Sequence, residues 1–306
     1  MTLVEEETVE QKGIRRWWPS WQLGNLRGPL AGNLAFLFSV GIILVFTFFA
    51  IFPQAVALHD PTVNQLSLRH RPPGFVDAEG EFYFLGTDHL GRSVWSRIVW
   101  GARYSLIVGY LGLLIGGTVG TSVGLVAGYR GGWIDRILVQ VIDIYLSMPY
   151  ILIAIVWALL VGTDIRNLIL IVAVRGWVEF ARVVRGQALL IREQEYVTAA
   201  MSVGVTESKI LLRYILPNTL APILVVAGYQ LGRLIILEAT LSFLTIGIRP
   251  PTPAWGSMLN DARSYMSQAW WTVLFPGLAI SLVVMSANFA GDSLRDYLDP
   301  TLRTRA

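Results

Sequence analysis

Tyr196-Val-Thr-Ala-Ala-Met-Ser-Val-Gly204, followed by Ile210 and by Ile215-Leu-Pro217, is a short polar-flanked stretch between two long apolar runs. Its reading decides whether the chain is soluble or membrane-bound. Ala200-Met-Ser-Val-Gly204-Val-Thr206 with Ile210 matches the turn of a DNA-binding helix-turn-helix. That motif needs a third packing helix and a soluble domain. Here runs of membrane length begin within a few residues on either side, so the stretch is read as a loop joining two spans, and nucleic-acid binding is set aside. Tyr196, Ala199, Ala200 and Val203 fall at i, i+3, i+4 and i+7, which predicts a helix with one apolar face of mostly small residues. Gly204 ends that helix, Thr206 is placed to cap a second one, Glu207 suits its positive end, and Pro217 is expected to close it. Such a face fits a cleft on a soluble partner; a plain connector between spans fits the same pattern.

The rest of the composition agrees with a membrane protein. The chain has 306 residues, of which 15% are charged; an ordinary soluble domain carries about 25%. Its mean hydropathy is +0.55. Backbone groups in lipid must be satisfied internally, so an all-α, polytopic helical bundle is expected. Cysteine is absent, which excludes disulfides, thiolate nucleophiles and thiolate metal sites. The pI of 9.3 comes almost wholly from arginine, since the only lysines are Lys12 and Lys209. In a membrane protein such basic charge belongs to the cytoplasmic loops. The first apolar run is too long and begins too far into the chain for a cleaved signal, and is read as an anchor.

Six spans are expected, at 33–52, 104–127, 137–161, 166–184, 220–246 and 271–290. Residues 1–32 combine Arg15, Arg16 and Arg27 with Trp17, Trp18 and Trp21, as suits a segment at the headgroup level. The short loop at 129–136, the loop at 185–219 and the tail at 291–306 are arginine-rich. By the positive-inside rule they face the cytoplasm with the N-terminus, leaving 53–103 and 247–270 outside. In the second span Gly112, Gly116, Gly120, Gly124 and Gly128 recur at every fourth residue. This predicts a ridge without side chains against which another helix packs closely.

Catalytic signatures are weak. Gly120-Thr-Ser122-Val-Gly124 matches the spelling of a nucleophile elbow, so an intramembrane serine protease using Ser122 is the rival class. The serine would need a base, and the three histidines, His59, His70 and His89, all lie in the outer segment. Nor do they have metal-ligand spacing. No phosphate loop is present, because Lys12 follows Gln11 and Lys209 follows Ser208; ATP would have to be held by another subunit. Asp143, Arg175, Glu179, Arg233 and Glu238 lie inside the expected spans. Such charges usually face a partner or a water-filled path. Arg175 and Glu179, at i and i+4, either pair with each other or line that path.

Four ordered blocks resemble the permease subunits of ATP-binding-cassette importers of the dipeptide/oligopeptide/nickel group, second permease type. The first is Leu85-Gly-Thr-Asp88, Leu90-Gly-Arg92, Ser96-Arg97 and Gly101-Ala-Arg103-Tyr-Ser-Leu106. The second is Arg185-Gly-Gln187 with Arg192-Glu-Gln-Glu-Tyr-Val197 and Ala199-Ala200, the coupling ("EAA") loop. The third is Leu241-Ser-Phe-Leu244, Gly247, Pro250-Pro-Thr-Pro253 and Trp255-Gly256. The fourth is Gly291-Asp292, Leu294-Arg-Asp296 and Leu298-Asp-Pro300. The resemblance runs from about Leu34 to Leu302. Thr198 departs from the family's usual glutamate and Ser93 from a common aspartate; Glu193 or Glu195 would then supply the charge beside Thr198.

The resemblance implies an importer subunit with no catalytic centre, cofactor or metal of its own, in the cytoplasmic membrane of a prokaryote. It would work with a homologous sister permease, two ATPase subunits carrying ATP and Mg, and an extracytoplasmic substrate-binding protein. The solute would be a di- or oligopeptide, or alternatively nickel, glutathione or another small solute. Glu195, Tyr196, Thr198, Ala199, Ala200, Gly204, Ile210 and Pro217 would form the ATPase-coupling surface. Asp143, Arg175, Glu179, Arg233 and Glu238 are candidates for the translocation path. Over Gly86–Leu106, Val94, Trp95, Ile98 and Val99 suggest an amphipathic helix lying in the outer interface, polar residues towards water. With the proline-rich 247–256 loop it is expected to receive the binding protein through Arg92, Arg97, Pro251 and Trp255; a lipid-surface anchor is the plainer alternative.

Overall fold

The computed structural model describes residues 34–298. The expected N-terminal segment 1–32, with Asn33, and residues 299–306 of the tail lie outside the described residues. The chain is a bundle of long helices with a cap of irregular structure between the first two of them.

Helix α1 (Leu34–Ile51) buries only Ser39 and Ala50. Its other side chains are apolar and open, as lipid contact requires. A short turn, α2 (Pro53–Val56), follows, and then the cap, which holds a two-stranded antiparallel ribbon of β1 (Phe75–Val76) and β2 (Phe82–Tyr83). Helix α3 (Val94–Arg130) has 37 residues. At 1.5 Å per residue it is about 55 Å long, well beyond a ~30 Å hydrocarbon core. The expected interfacial helix at 86–106 and the span at 104–127 are therefore largely one continuous helix. Its first turns are enclosed by the cap rather than lying on the membrane. Ser93 caps it by accepting from the Ser96 amide, and Gly131, at φ +65°, ends it.

The glycine ridge packs as predicted. All five glycines are buried on α3, facing α6 (Ile165–Arg192). A Cβ on Gly116 would come within 2.7 Å of the Ala173 carbonyl oxygen, and one on Gly124 within 2.6 Å of that of Ala181. The two backbones approach too closely for any side chain between them.

The span expected at 137–161 is broken. Helices α4 (Gly132–Ser147) and α5 (Tyr150–Val161) meet at Met148-Pro149 with an 88° bend. Proline has no amide to donate and clashes with the preceding turn, so it begins α5 instead of continuing α4.

Beyond α6, helices α7 (Glu195–Ser202) and α8 (Glu207–Ile210) form the loop. A π-turn at Leu211–Ile215 then leads without interruption into α9 (Leu216–Phe243). Pro217 thus does not close a helix as expected. It stands directly after the π-turn, in the first turn of α9, and the helix runs on through it. Helices α10 (Trp255–Ala262) and α11 (Trp271–Leu298) complete the chain.

Among the described residues four helices are long and apolar enough to cross a membrane: α1, α3, α8–α9 taken together, and α11. The bent α4–α5 pair makes a fifth if it is one span. Helix α6, with 28 residues, is long enough, but Arg175, Glu179 and Arg182 lower its hydropathy. The molecule is a multi-pass membrane protein.

Candidate coupling site and charged clusters

The loop rests on a rigid base. Val197 of α7 is buried with Ile210 and Ile215 against Val184, Ala188 and Ile191 of α6, and Ala200 is buried as well. Arg192 reaches the carbonyls of Gly128 and Tyr129, each at 3.3 Å, at the end of α3; a cation there meets the negative end of the helix. Arg130 donates to Glu207 at 2.6 Å, and this hydrogen bond holds the Glu207 carboxyl below its usual range. Arg185 donates through Nη2 to Asp135 at 2.8 Å, tying α6 to α4.

The predicted apolar face of α7 divides in two. Tyr196 and Ala200 turn towards the chain's own core, while Ala199 and Val203 point outward with Glu195, Thr198 and Met201. The i, i+3, i+4, i+7 pattern joined the two because it spans the whole apolar arc of a short helix. Only the packing against α6 shows which edge is spent internally. Gly204 is left-handed, at φ +80°, as expected of the residue that stops α7. It has open space around it. Thr206 occupies the cap position of α8 without a side-chain hydrogen bond. Ile210 is buried, and Pro217 stands in the first turn of α9.

The charges inside the spans are paired differently from expectation. Glu179 meets Arg233 at 3.6 Å, not Arg175. Asp143 meets Arg182 at 3.9 Å. All four belong to partly or largely open side chains on α4, α6 and α9, so these helices share a polar face. Glu238 does not belong to it. It is fully buried, and the Ser242 hydroxyl donates to it at 2.7 Å while accepting from the Ile248 amide at 3.1 Å. Glu238 therefore braces the end of α9 instead of lining an open path. Arg175 lies against the Tyr150 ring, 6.0 Å from its centroid.

The cap corrects the docking assignment for Arg92, Arg97 and Trp255. Gly86 and Gly91 adopt φ of +74° and +78°, turning the chain so that Asp88 points inward. Asp88 accepts from the amides of Leu90 and Arg92, each at 2.9 Å. It also accepts from Arg92 Nε at 2.8 Å and Arg97 Nη1 at 2.5 Å. Asp261 of α10 takes the other ends, from Arg97 Nη2 at 3.1 Å and Arg92 Nη2 at 3.4 Å. Both arginines are almost wholly buried, at 3% and 1% exposed, and cannot present charge to a partner. Burial on its own would raise the Asp88 pKa, but Arg97, Arg92 and the two amides outweigh it and hold the carboxyl below its usual range. Trp255, fully buried, donates to the Ile98 carbonyl at 3.0 Å and stacks edge-on with Phe46. Only Pro251 of the four remains exposed. Asp88 and Asp261, the carboxylates that complete the cluster, were not singled out from sequence. Two arginines beside an apolar span were the available signal, since buried cations require partners.

Ser122 lies in the C-terminal third of α3 and donates to the Thr118 carbonyl at 2.8 Å. No histidine approaches it among the described residues, and this removes the protease reading's geometry.

Residues 120–304 match the family described as the inner membrane component of binding-protein-dependent transport systems. A dipeptide transport system permease protein of Alkalihalophilus pseudofirmus is 39% identical over 87% of this chain and 86% of its own. One from Haemophilus influenzae is 36% identical over 90% and 92%. A glutathione transport system permease protein of Pectobacterium atrosepticum is 43% identical over 72% and 74%. Among solved structures, that of inward-facing MetNI, a methionine ATP-binding-cassette transporter, superposes with a TM-score of 0.53. It covers 66% of this chain and 96% of the other, at 22% identity. At that identity the likeness speaks for the fold.

Proposed function

The chain belongs to the family of inner membrane components of binding-protein-dependent transport systems, and from that premise we propose that it is the permease subunit of an ATP-binding-cassette importer for di- or oligopeptides. The observation that carries the solute class is its 39% identity to a dipeptide permease along nearly the whole length of both chains. The glutathione permease is more similar over a shorter stretch and fits no better. The chain is a transport subunit and not an enzyme; ATP hydrolysis belongs to partner ATPases. A sister permease and a binding protein complete the assembly.

The exposed edge of α7, Ala199 with Met201 and Val203, docks on an ATPase. Three features support this reading. The edge is apolar and open, whereas Val197 and Ala200 on the other side of α7 are packed inward. The base beneath it is rigid. Helix α7 follows α6 directly, and α8 continues through the π-turn into α9, so a push on the loop tilts two span helices together. Helix α6 acts as the sixth span, its charges facing the polar side shared with α4 and α9. Both termini and 185–219 are cytoplasmic, and 53–103 and 247–270 are external.

Ala199→Trp is expected to lower ATP-driven import at least ~10-fold, as bulk does at the centre of a docking surface, while the chain still assembles in the membrane. Ala200→Trp should instead reduce the amount of folded chain, because that position is occupied internally. Normal import by the Ala199 variant would sink the docking assignment. For topology, a single cysteine at Ser208, an exposed position, should resist an impermeant thiol reagent in intact cells and react in inverted vesicles. Labelling in intact cells would reverse the orientation.

A further inference from the structure

Arg175, Glu179 and Arg182 lie on one stripe of α6, at i, i+4 and i+7. Two members of this stripe have partners of opposite charge on neighbouring helices: Arg233 answers Glu179 and Asp143 answers Arg182. Arg175 has none among the described ion pairs. It lies about 15 Å along α6 from Ile165, which on the proposed six-span reading is near the middle of a ~30 Å hydrocarbon core. An unanswered cation at that depth is expensive.

The one carboxylate on its own stripe, Glu179, is engaged by Arg233, and the remaining polar groups around Arg175 are donors. Arg175 Nη1 is shut off from solvent without a hydrogen-bond acceptor, and the Tyr145 hydroxyl is in the same condition. Tyr145 ends α4 and Tyr150 begins α5, and their rings stand 6.3 Å apart across the 88° break. Arg175 packs on Tyr150, whose own hydroxyl is already spent on the Ile171 carbonyl. The break also opens the N-terminus of α5, a helix of 12 residues without a side-chain cap. Its first-turn amides carry partial positive charge. A guanidinium, a phenol and an uncapped helix start therefore gather at one place, and an acceptor of negative charge is the group they lack.

We propose that Arg175 is a specificity-determining residue of the translocation path, taking a carboxylate of the solute as it crosses. This rests on the importer reading above. A peptide carries such a group at its C-terminus; an inorganic anion would satisfy the same donors. The guanidinium donates two parallel N–H bonds to the carboxylate, and Tyr145 adds a neutral donor. The charge is answered only while solute is present, which favours entry without permanent retention.

The test is import by the full assembly in proteoliposomes, with alanyl-alanine and its C-terminal amide as probes, each loaded on the binding protein. Arg175→Gln is expected to slow import of the free acid about tenfold and to leave the amide at its wild-type rate. Arg175→Lys, which keeps the charge, should hold the acid within about threefold of wild type. Equal loss of acid and amide would make Arg175 structural and overturn the proposal. So would unchanged import by Arg175→Gln, or a lysine variant no better than glutamine; an inorganic ion as the true ligand would give the first of these patterns. Wild-type vesicles that import neither probe would overturn the peptide reading itself, and this inference with it.

Discussion

Asp88→Ala is expected to unfold the cap, at a cost of about 3–5 kcal/mol, the usual penalty for breaking a buried ion pair. Asp88 accepts from both Arg92 and Arg97 in a nearly dry site. Without it two buried cations would share Asp261, which is 17% exposed and farther from Arg92. Stabilities of domains are only about 5–15 kcal/mol in total, so the loss is a large fraction. Thermal unfolding of the purified chain in detergent measures it. Adding Arg97→Met should recover part of the loss, because it removes the orphaned charge along with its partner. A variant that melts with the wild type, or a double variant no better than the single one, would mean that the cluster contributes little. The carboxyl's depressed pKa gives the pH dependence its sign. Its contribution is complete above the unfolded carboxylate pKa of ~3.9 and is lost as pH falls through the lower folded value. Acid destabilisation of the cap through this group is thus expected only below about pH 4.

The second large effect lies in the membrane. A Cβ on Gly120 would fall 2.8 Å from Phe180 Cβ and 3.0 Å from the Trp177 backbone carbon, so α3 and α6 must move apart to admit it. Gly120→Ala should cost about 1–3 kcal/mol, the range for overpacking, and Gly120→Leu should prevent the two helices from docking. Gly186, also helical but with open space at its Cβ position, is the control. There alanine should be neutral or stabilising by up to ~1 kcal/mol, since glycine is the poorer helix former. Melting temperature and the monodisperse fraction in detergent report both. A Gly120→Ala chain as stable as wild type would refute close packing along the ridge.

The contrast between ridge and cap shows what was legible. The ridge follows from spacing alone: a period of four on one helix creates a bare face whatever surrounds it. The Gly204 turn was legible for a similar reason, because a left-handed residue has a strong local preference. The interfacial helix was misread because Val94, Trp95, Ile98 and Val99 do form an apolar arc, but the polar arc opposite meets Asp88 and Asp261 rather than water. Pro149 is the one local signal of the broken span, because a proline has no amide with which to continue α4. Pro217 was over-read, since a proline that stops one helix can equally begin another. Arg175 and Glu179 were close enough in sequence to pair, and a better-placed Arg233 on α9 took the carboxylate.

By itself the sequence determined the membrane class, most of the apolar spans, the glycine ridge and the family, because each depends on local composition, period or ordered motifs. Only the tertiary structure decided which charges are answered and which side chains are free. Asp261 stands 169 residues from Arg92, and Arg233 comes from a different helix from Glu179. Partners so far apart meet through the packing of whole helices, and no local pattern encodes the few ångströms that separate a buried ion pair from an open cation.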